Sequence, residues 1–175
     1  MSLESEFVEF SASKLEQMMG RIEVCVGKLT SEQIWMRGTE KQNAAGNLLL
    51  HLEGNVRQWI LSGVGGAPDH RVRSAEFSAR DSTETRENLV ARLRETVQAA
   101  AALIRGLNGE QLLETVQIQG YEGTKLQAVY HVVEHFAGHA FQIFFLTKLL
   151  TGEDLGFYSY LAGTGRASGS AAMVP

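Results

Sequence analysis

Apolar residues recur at three- and four-residue steps along almost the whole chain, the spacing of a single buried helix face. The first run extends from about Leu3 to Leu29, through Phe7, Val8, Phe10, Leu15, Met18, Met19, Ile22 and Val26. Leu29-Thr30-Ser31-Glu32-Gln33 interrupts it and offers a fresh helix start, with Thr30 or Ser31 as the cap. A second helix is predicted from about Asn43 to Ser62, through Leu48, Leu49, Leu52, Val56, Trp59 and Ile60; Gly63-Val64-Gly65-Gly66-Ala67-Pro68-Asp69 ends it. The stretch from Gly63 to about Asp81 is polar and reads as a long loop, the kind that is often functional. A third helix starts near Ser82-Thr83-Glu84 and reaches Leu107, and Asn108-Gly109-Glu110-Gln111 begins a short one. Val116 to Gly123 alternates briefly, as an extended segment or small hairpin does. The fourth long helix, about Thr124 to Thr151, is the most apolar. Gly, Ser and Ala then dominate, which predicts a bundle domain over residues 1–155 and a flexible tail over 156–175.

Two internal echoes, at nearly equal offsets and in the same order, relate the halves of the chain. Leu29-Thr30-Ser31-Glu32-Gln33-Ile34 resembles Leu107-Asn108-Gly109-Glu110-Gln111-Leu112, and His51-Leu52-Glu53-Gly54-Asn55 resembles His135-Phe136-Ala137-Gly138-His139. They predict an all-α four-helix bundle of two related helical hairpins, helix 1 with 2 and helix 3 with 4. A pseudo-two-fold axis would bring helices 2 and 4 together at corresponding positions.

Composition narrows the function classes. Charged residues make up 21% of 175 residues and the net charge is −4 without a basic block, so neither nucleic acid nor an anionic membrane is an expected partner. A single cysteine, Cys25, excludes an intrachain disulfide framework and a Cys-rich zinc module, and reads as a small buried hydrophobe. The acidic N-terminus lacks a signal-peptide pattern, and no apolar window is long enough to span a membrane. A cytoplasmic protein is the expectation.

Histidines carry the candidate chemistry. His131, His135 and His139 follow one another at four-residue steps, so successive pairs rise about 6 Å and can share a metal ion, whereas the outer two stand about 12 Å apart. The echo selects among them: His51 corresponds to His135 and Asn55 to His139, so His51, His135 and His139 form the predicted metal set, with Asn55 nearby as a weak ligand or support. Gly54 and Gly138 beside them suggest close approach of two helix backbones. Three imidazoles and an open position describe a catalytic rather than a closed structural site. His131 is then a supporting or flank residue, and His70 a solvated one. Glu134 lies about 100° round the helix from His135 and is a candidate base or imidazole-orienting group. Arg57 is a candidate for meeting an anionic substrate, and Tyr121 for a site wall. Met18, Met19, Trp59, Phe141, Phe144 and Phe145 are assigned to core packing, and the charged stretch from Arg80 to Arg94 to the wet face of the third helix. A competing pattern, His131-Val132-Val133-Glu134-His135, fits the H-x-x-E-H motif of a small zinc peptidase.

Gly46-Asn47-Leu48-Leu49-Leu50-His51-Leu52, Gly54-Asn55-Val56-Arg57-Gln58-Trp59 and His135-Phe136-Ala137-Gly138-His139 with Gln142-Ile143 resemble the DinB-like superfamily, which includes the YfiT-type metal-dependent hydrolases. The likeness covers about residues 5–160. It implies up-down-down-up helix order, a divalent ion such as nickel or zinc on His51, His135 and His139, and a homodimer. It also implies a hydrolase, or a transferase that uses a low-molecular-weight thiol, acting on a small-molecule substrate. The alternative from another class is a non-catalytic stress-response bundle that binds metal or a small ligand.

Overall fold

Ser2 accepts a hydrogen bond from the Ser5 amide and so opens the first helix, α1 (Leu3–Gly27), whose apolar stripe of Val8, Leu15, Met18, Met19, Ile22 and Val26 is buried as its spacing predicts. Phe10 is exposed. The computed structural model describes residues 2–80 and 84–161. After a 3₁₀ turn at Gln33–Trp35 come α2 (Ala45–Val56), a π-helical continuation at Arg57–Val64, the short α3 (Arg73–Ser78), α4 (Arg86–Arg105) and α5 (Gly109–Leu113). Strands β1 (Thr115–Ile118) and β2 (Tyr121–Thr124) lead into α6 (Lys125–Thr151), which Gly152 ends in the left-handed conformation at φ 70°.

The two echoed turns build the same device. Thr30 and Gln33 exchange bonds of 2.9 and 3.1 Å between amide and side chain, and Asn108 and Gln111 exchange bonds of 3.0 and 2.9 Å. This reciprocal capping satisfies amide groups that a helix start leaves open.

The all-α bundle is as predicted, but its pairing differs. α1 packs on α4 and α6, and α2 packs on the same two helices, so the two predicted hairpins, α1 with α2 and α4 with α6, instead have their members diagonal across the bundle. The connections between them are long enough to cross the bundle, and only short ones force neighbours. Ile22, Leu48, Leu52, Ile60, Leu93, Phe136 and Ile143 fill the centre, each side chain contributing about 1.5–3 kcal/mol. Cys25 lies among them as expected, its thiol pushed up to about 11 by burial.

Other boundaries shift for local reasons. α4 starts at Arg86 because Thr85 accepts from the Asn88 amide; the predicted start at Ser82 and Thr83 lies outside the described residues. The polar stretch after Gly63 is not all loop, since α3 sits within it. Phe141 and Phe145, assigned to the core, are 54% and 66% exposed. They share the outward face of α6 with Leu149, whereas Phe144 on the inner face is buried. Past α6, Leu155 is buried and Phe157 packs edge-on against Phe144. Of the tail predicted over residues 156–175, residues 162–175 lie outside the described residues.

Candidate metal centre

The contact between α2 and α6 brings the echoed histidines together. His51 Nε2 lies 3.1 Å from His135 Nε2, and the His139 ring, one turn further along α6, is centred 4.8 Å from that of His51 and 4.5 Å from that of His135. One ligand nitrogen of each ring lies within 4.8 Å of the others. Nitrogens on a tetrahedral ion with bonds of ~2.0 Å stand roughly 3.3 Å apart, close to the spacing of His51 and His135. Among the described residues, these are the His, Cys, Asp or Glu side chains grouped so that three could hold one metal ion.

Two further contacts decide which nitrogens face inward. His51 Nδ1 is 2.9 Å from Glu76 Oε2 and 3.1 Å from Arg71 Nη2; Arg71 gives its Nη2 proton to Glu76, and the carboxylate accepts a hydrogen bond from a protonated Nδ1. His139 Nδ1 is 3.0 Å from Gln142 Oε1, which accepts in the same way. Both rings are thereby set in the tautomer that leaves the Nε2 lone pair available. A carboxylate behind a ligating imidazole is the usual means of fixing ring orientation and raising basicity. Glu76 is itself gripped: Arg71 Nε donates to Oε1 at 2.7 Å and Nη2 to Oε2 at 3.0 Å, with the Arg71 side chain 4% exposed.

Gly54 makes room for this pair. A Cβ there would stand 2.2 Å from Glu76 Oε1 and 2.9 Å from Arg71 Nε. The reason for this glycine is therefore the α3 ion pair, not the approach of two helix backbones. Gly138 has open space where a Cβ would be, so close approach does not explain it either.

Burial governs the charge states. His135 is driven down to about 3, first by desolvation and then by the neighbouring His139, His51 and His131 and by Arg71. His139 is also lowered by desolvation, against a raising bond with Gln142. Burial pushes Glu76 upward, but its bonds with His51 and Arg71 outweigh this and hold the carboxyl below its usual range. At neutral pH His135 and His139 are thus neutral imidazoles and Glu76, beside His51, is an ionised carboxylate, the donor chemistry a divalent cation requires.

The other sequence candidates separate. Asn55 is buried and lines a cavity beside His51 and His135, and Tyr121 lines the same cavity. Arg57, two residues on, faces elsewhere: it is exposed and bonds Glu53 and Thr96. A step of two on a helix turns the side chain by about 200°, so Arg57 does not share the position of Asn55. Glu134 is exposed on α6, and its charge is felt by His131. His131 lies over Trp59, ring centroids 4.2 Å apart, and is not one of the clustered three, so the H-x-x-E-H pattern gains no metal geometry. His70 is exposed, as expected.

No motif in the sequence marks Glu76 and Arg71 as site residues, and Gln142 and Trp59 stand in the resembling motifs without a role at the site. Glu76 and Arg71 lie in a segment without apolar period. Their one local signal was Gly54, a helix-interior glycine beside a histidine. The β hairpin turns on Gln119 and Gly120, both at positive φ (56° and 80°), as a two-residue turn of this hand requires. The turn sets Gln119 against Gln58, on the rim of the cavity.

The fold has solved counterparts. The DinB-like protein YjoA of Bacillus subtilis is 17% identical, with a TM-score of 0.64 over 85% of this chain and 96% of that one. A DinB-like protein of Bacillus cereus is 14% identical, with a TM-score of 0.61 over 78% of this chain and 85% of that one. A conserved protein of Enterococcus faecalis is 15% identical, with a TM-score of 0.63 over 87% of this chain and 99% of that one. At such identities the likeness is one of fold. Residues 2–163 match the family model described as protein of unknown function (DUF1572). No curated protein matches the sequence.

Proposed function

We propose, for a chain that belongs to the DUF1572 family and has a DinB-like fold, that His51, His135 and His139 hold one divalent ion, nickel or zinc, in an enzyme acting on a small molecule. The observation that carries this is the convergence of three imidazoles, two of them with Nδ1 already bonded so that Nε2 is available. A divalent ion on such a set supplies a nucleophile near neutral pH by lowering the pKa of a water or a thiol. Glu76 and Gln142 hold their imidazoles in one tautomer, Arg71 holds Glu76, and burial keeps His135 unprotonated and able to bind. The adjoining cavity of about 280 Å³ favours a site open on one side over a closed structural one. The reaction is a hydrolysis or a transfer to a low-molecular-weight thiol.

The cobalt(II)-substituted protein distinguishes these branches. Uptake of one cobalt with visible bands is expected, and a new sulfur-to-metal charge-transfer band on adding glutathione or cysteine would assign the thiol branch. Cobalt bands that no thiol alters would assign the water branch; failure to take up cobalt contradicts the proposal. A homodimer belongs to the same reading, supported by the exposed Phe141, Phe145 and Leu149 on α6. Sedimentation velocity should give twice the chain mass, and the monomer mass for Phe145→Glu.

A further inference from the structure

Among the described residues, three buried side-chain atoms have no hydrogen-bond partner: Asn55 Oδ1, Trp59 Nε1 and His135 Nδ1. They belong to α2, its π-helical continuation and α6, yet all three residues line the one cavity of about 280 Å³ beside the histidine cluster. A buried polar group without a partner destabilises the fold, and native proteins hold few of them. Asn55 and Trp59 are 4% and 9% exposed, so bulk water does not relieve them. Three residues with such atoms on the wall of one space point to it as a place where something polar binds.

Their chemistry describes the occupant. The Trp59 indole N–H can only donate. His135, with Nε2 directed at His51, carries its proton on Nδ1 when the metal is bound, and there it donates too. Asn55 Oδ1 can only accept. No carboxylate lines the cavity, whereas Arg71 and Arg73 do. Arg71 is committed to Glu76, but Arg73 has no ion pair among the described residues and lies over the Phe77 ring at 4.9 Å. A second cavity of about 250 Å³ shares Trp59, Tyr121 and His131 with the first and continues past Val116, Ile118 and Ala128, an extension with an apolar side and with Glu122, Thr124 and Gln127 also on its wall.

We propose that the two cavities form the substrate pocket, and that it takes a small carboxylate with a hydroxyl or amino group on the adjacent carbon and an apolar side chain. The carboxylate accepts from Trp59, His135 and Arg73, the neighbouring donor bonds Asn55, and the side chain lies along the apolar side of the extension. This rests on the metal centre proposed above only for the protonation of His135 Nδ1.

The zinc-loaded Trp35→Phe variant leaves Trp59 as its one tryptophan, and its fluorescence reads the pocket directly. The probes are 2-hydroxy-4-methylpentanoate, leucine, 4-methylpentanoate and inorganic phosphate, with calorimetry on the unmodified chain as an independent readout. The hydroxy acid or leucine is expected to bind about tenfold more tightly than 4-methylpentanoate. Asn55→Leu should erase that difference without lowering the melting temperature, since it removes an unpartnered polar group. Equal binding of 4-methylpentanoate, equal binding of phosphate, no response to any probe, or a difference that survives Asn55→Leu overturns the assignment. Zinc content measured on the same samples separates the two proposals: full zinc with no probe response overturns the pocket alone. Failure to bind zinc overturns the metal centre and with it the His135 contact; the Trp59, Arg73 and Asn55 contacts do not need the ion, and loss of the hydroxy-acid preference in that metal-free protein overturns the pocket.

Discussion

Glu76 sets the orientation of His51, and its own position depends on Arg71 and on the missing side chain of Gly54. Glu76→Gln keeps the shape but removes the charge behind the imidazole. Metal affinity is expected to fall about 10- to 100-fold with helix content unchanged, read by competitive titration against a chromophoric chelator. Unaltered affinity would mean that Glu76 only anchors α3. Titration offers a second check at this scale. The unfolded chain takes up protons near pH 6.5, whereas burial holds His135 at about 3 and lowers His139. Between those values the unfolded state binds more protons, so the metal-free protein loses stability as pH falls. Glu76, held below its ordinary value of 4.5, adds a loss in the same direction only at still lower pH. Melting temperatures of metal-free protein should therefore fall between pH 7.5 and 5, and His135→Gln should flatten the decline. A flat profile in the unaltered chain would contradict neutral, buried imidazoles. The three histidines could be found in the sequence because regular helical spacing fixes which side chains share a face. Glu76 could not, because its contact with His51 is made by a segment whose path no periodicity encodes.

Among the elements, α2 and α6 carry the site, and they meet through His51 and His135 as the internal echo indicated. The echo also appears in the capping turns, where short side-chain to amide bonds are dictated by adjacent residues. It failed for helix pairing, because diagonal or neighbouring placement is decided by the connections and by core packing, neither of which a local match contains. The π-helical stretch after α2, with the Gly65 amide bonded to the Ile60 carbonyl at 2.9 Å, has no hydrophobic signature distinct from an α-helix, yet it presents Trp59 to the cavity. A metal joining α2 to α6 ties together two elements that otherwise meet through side-chain packing. Verified removal of the ion is expected to lower the melting temperature by roughly 5–10 °C. An unchanged melting temperature would mean that the ion does not bridge these helices.

At the scale of the whole molecule, the bundle holds three imidazoles together at one side of its core and leaves an apolar face of α6 in solvent. The buried stripe of α1 follows from its spacing, but on α6 both faces are apolar. Periodicity alone did not separate buried Phe144 from exposed Phe141 and Phe145. No helix among the described residues is long and apolar enough to cross a membrane. The central claim is that one ion is shared by these two helices, and its most direct test is elemental analysis of the purified protein beside its His51→Ala, His135→Ala and His131→Ala variants, each confirmed folded. One equivalent of nickel or zinc in the unaltered chain and in His131→Ala, with loss in His51→Ala and His135→Ala, is the expected result. Metal retained in His51→Ala, or lost equally from His131→Ala, would contradict it.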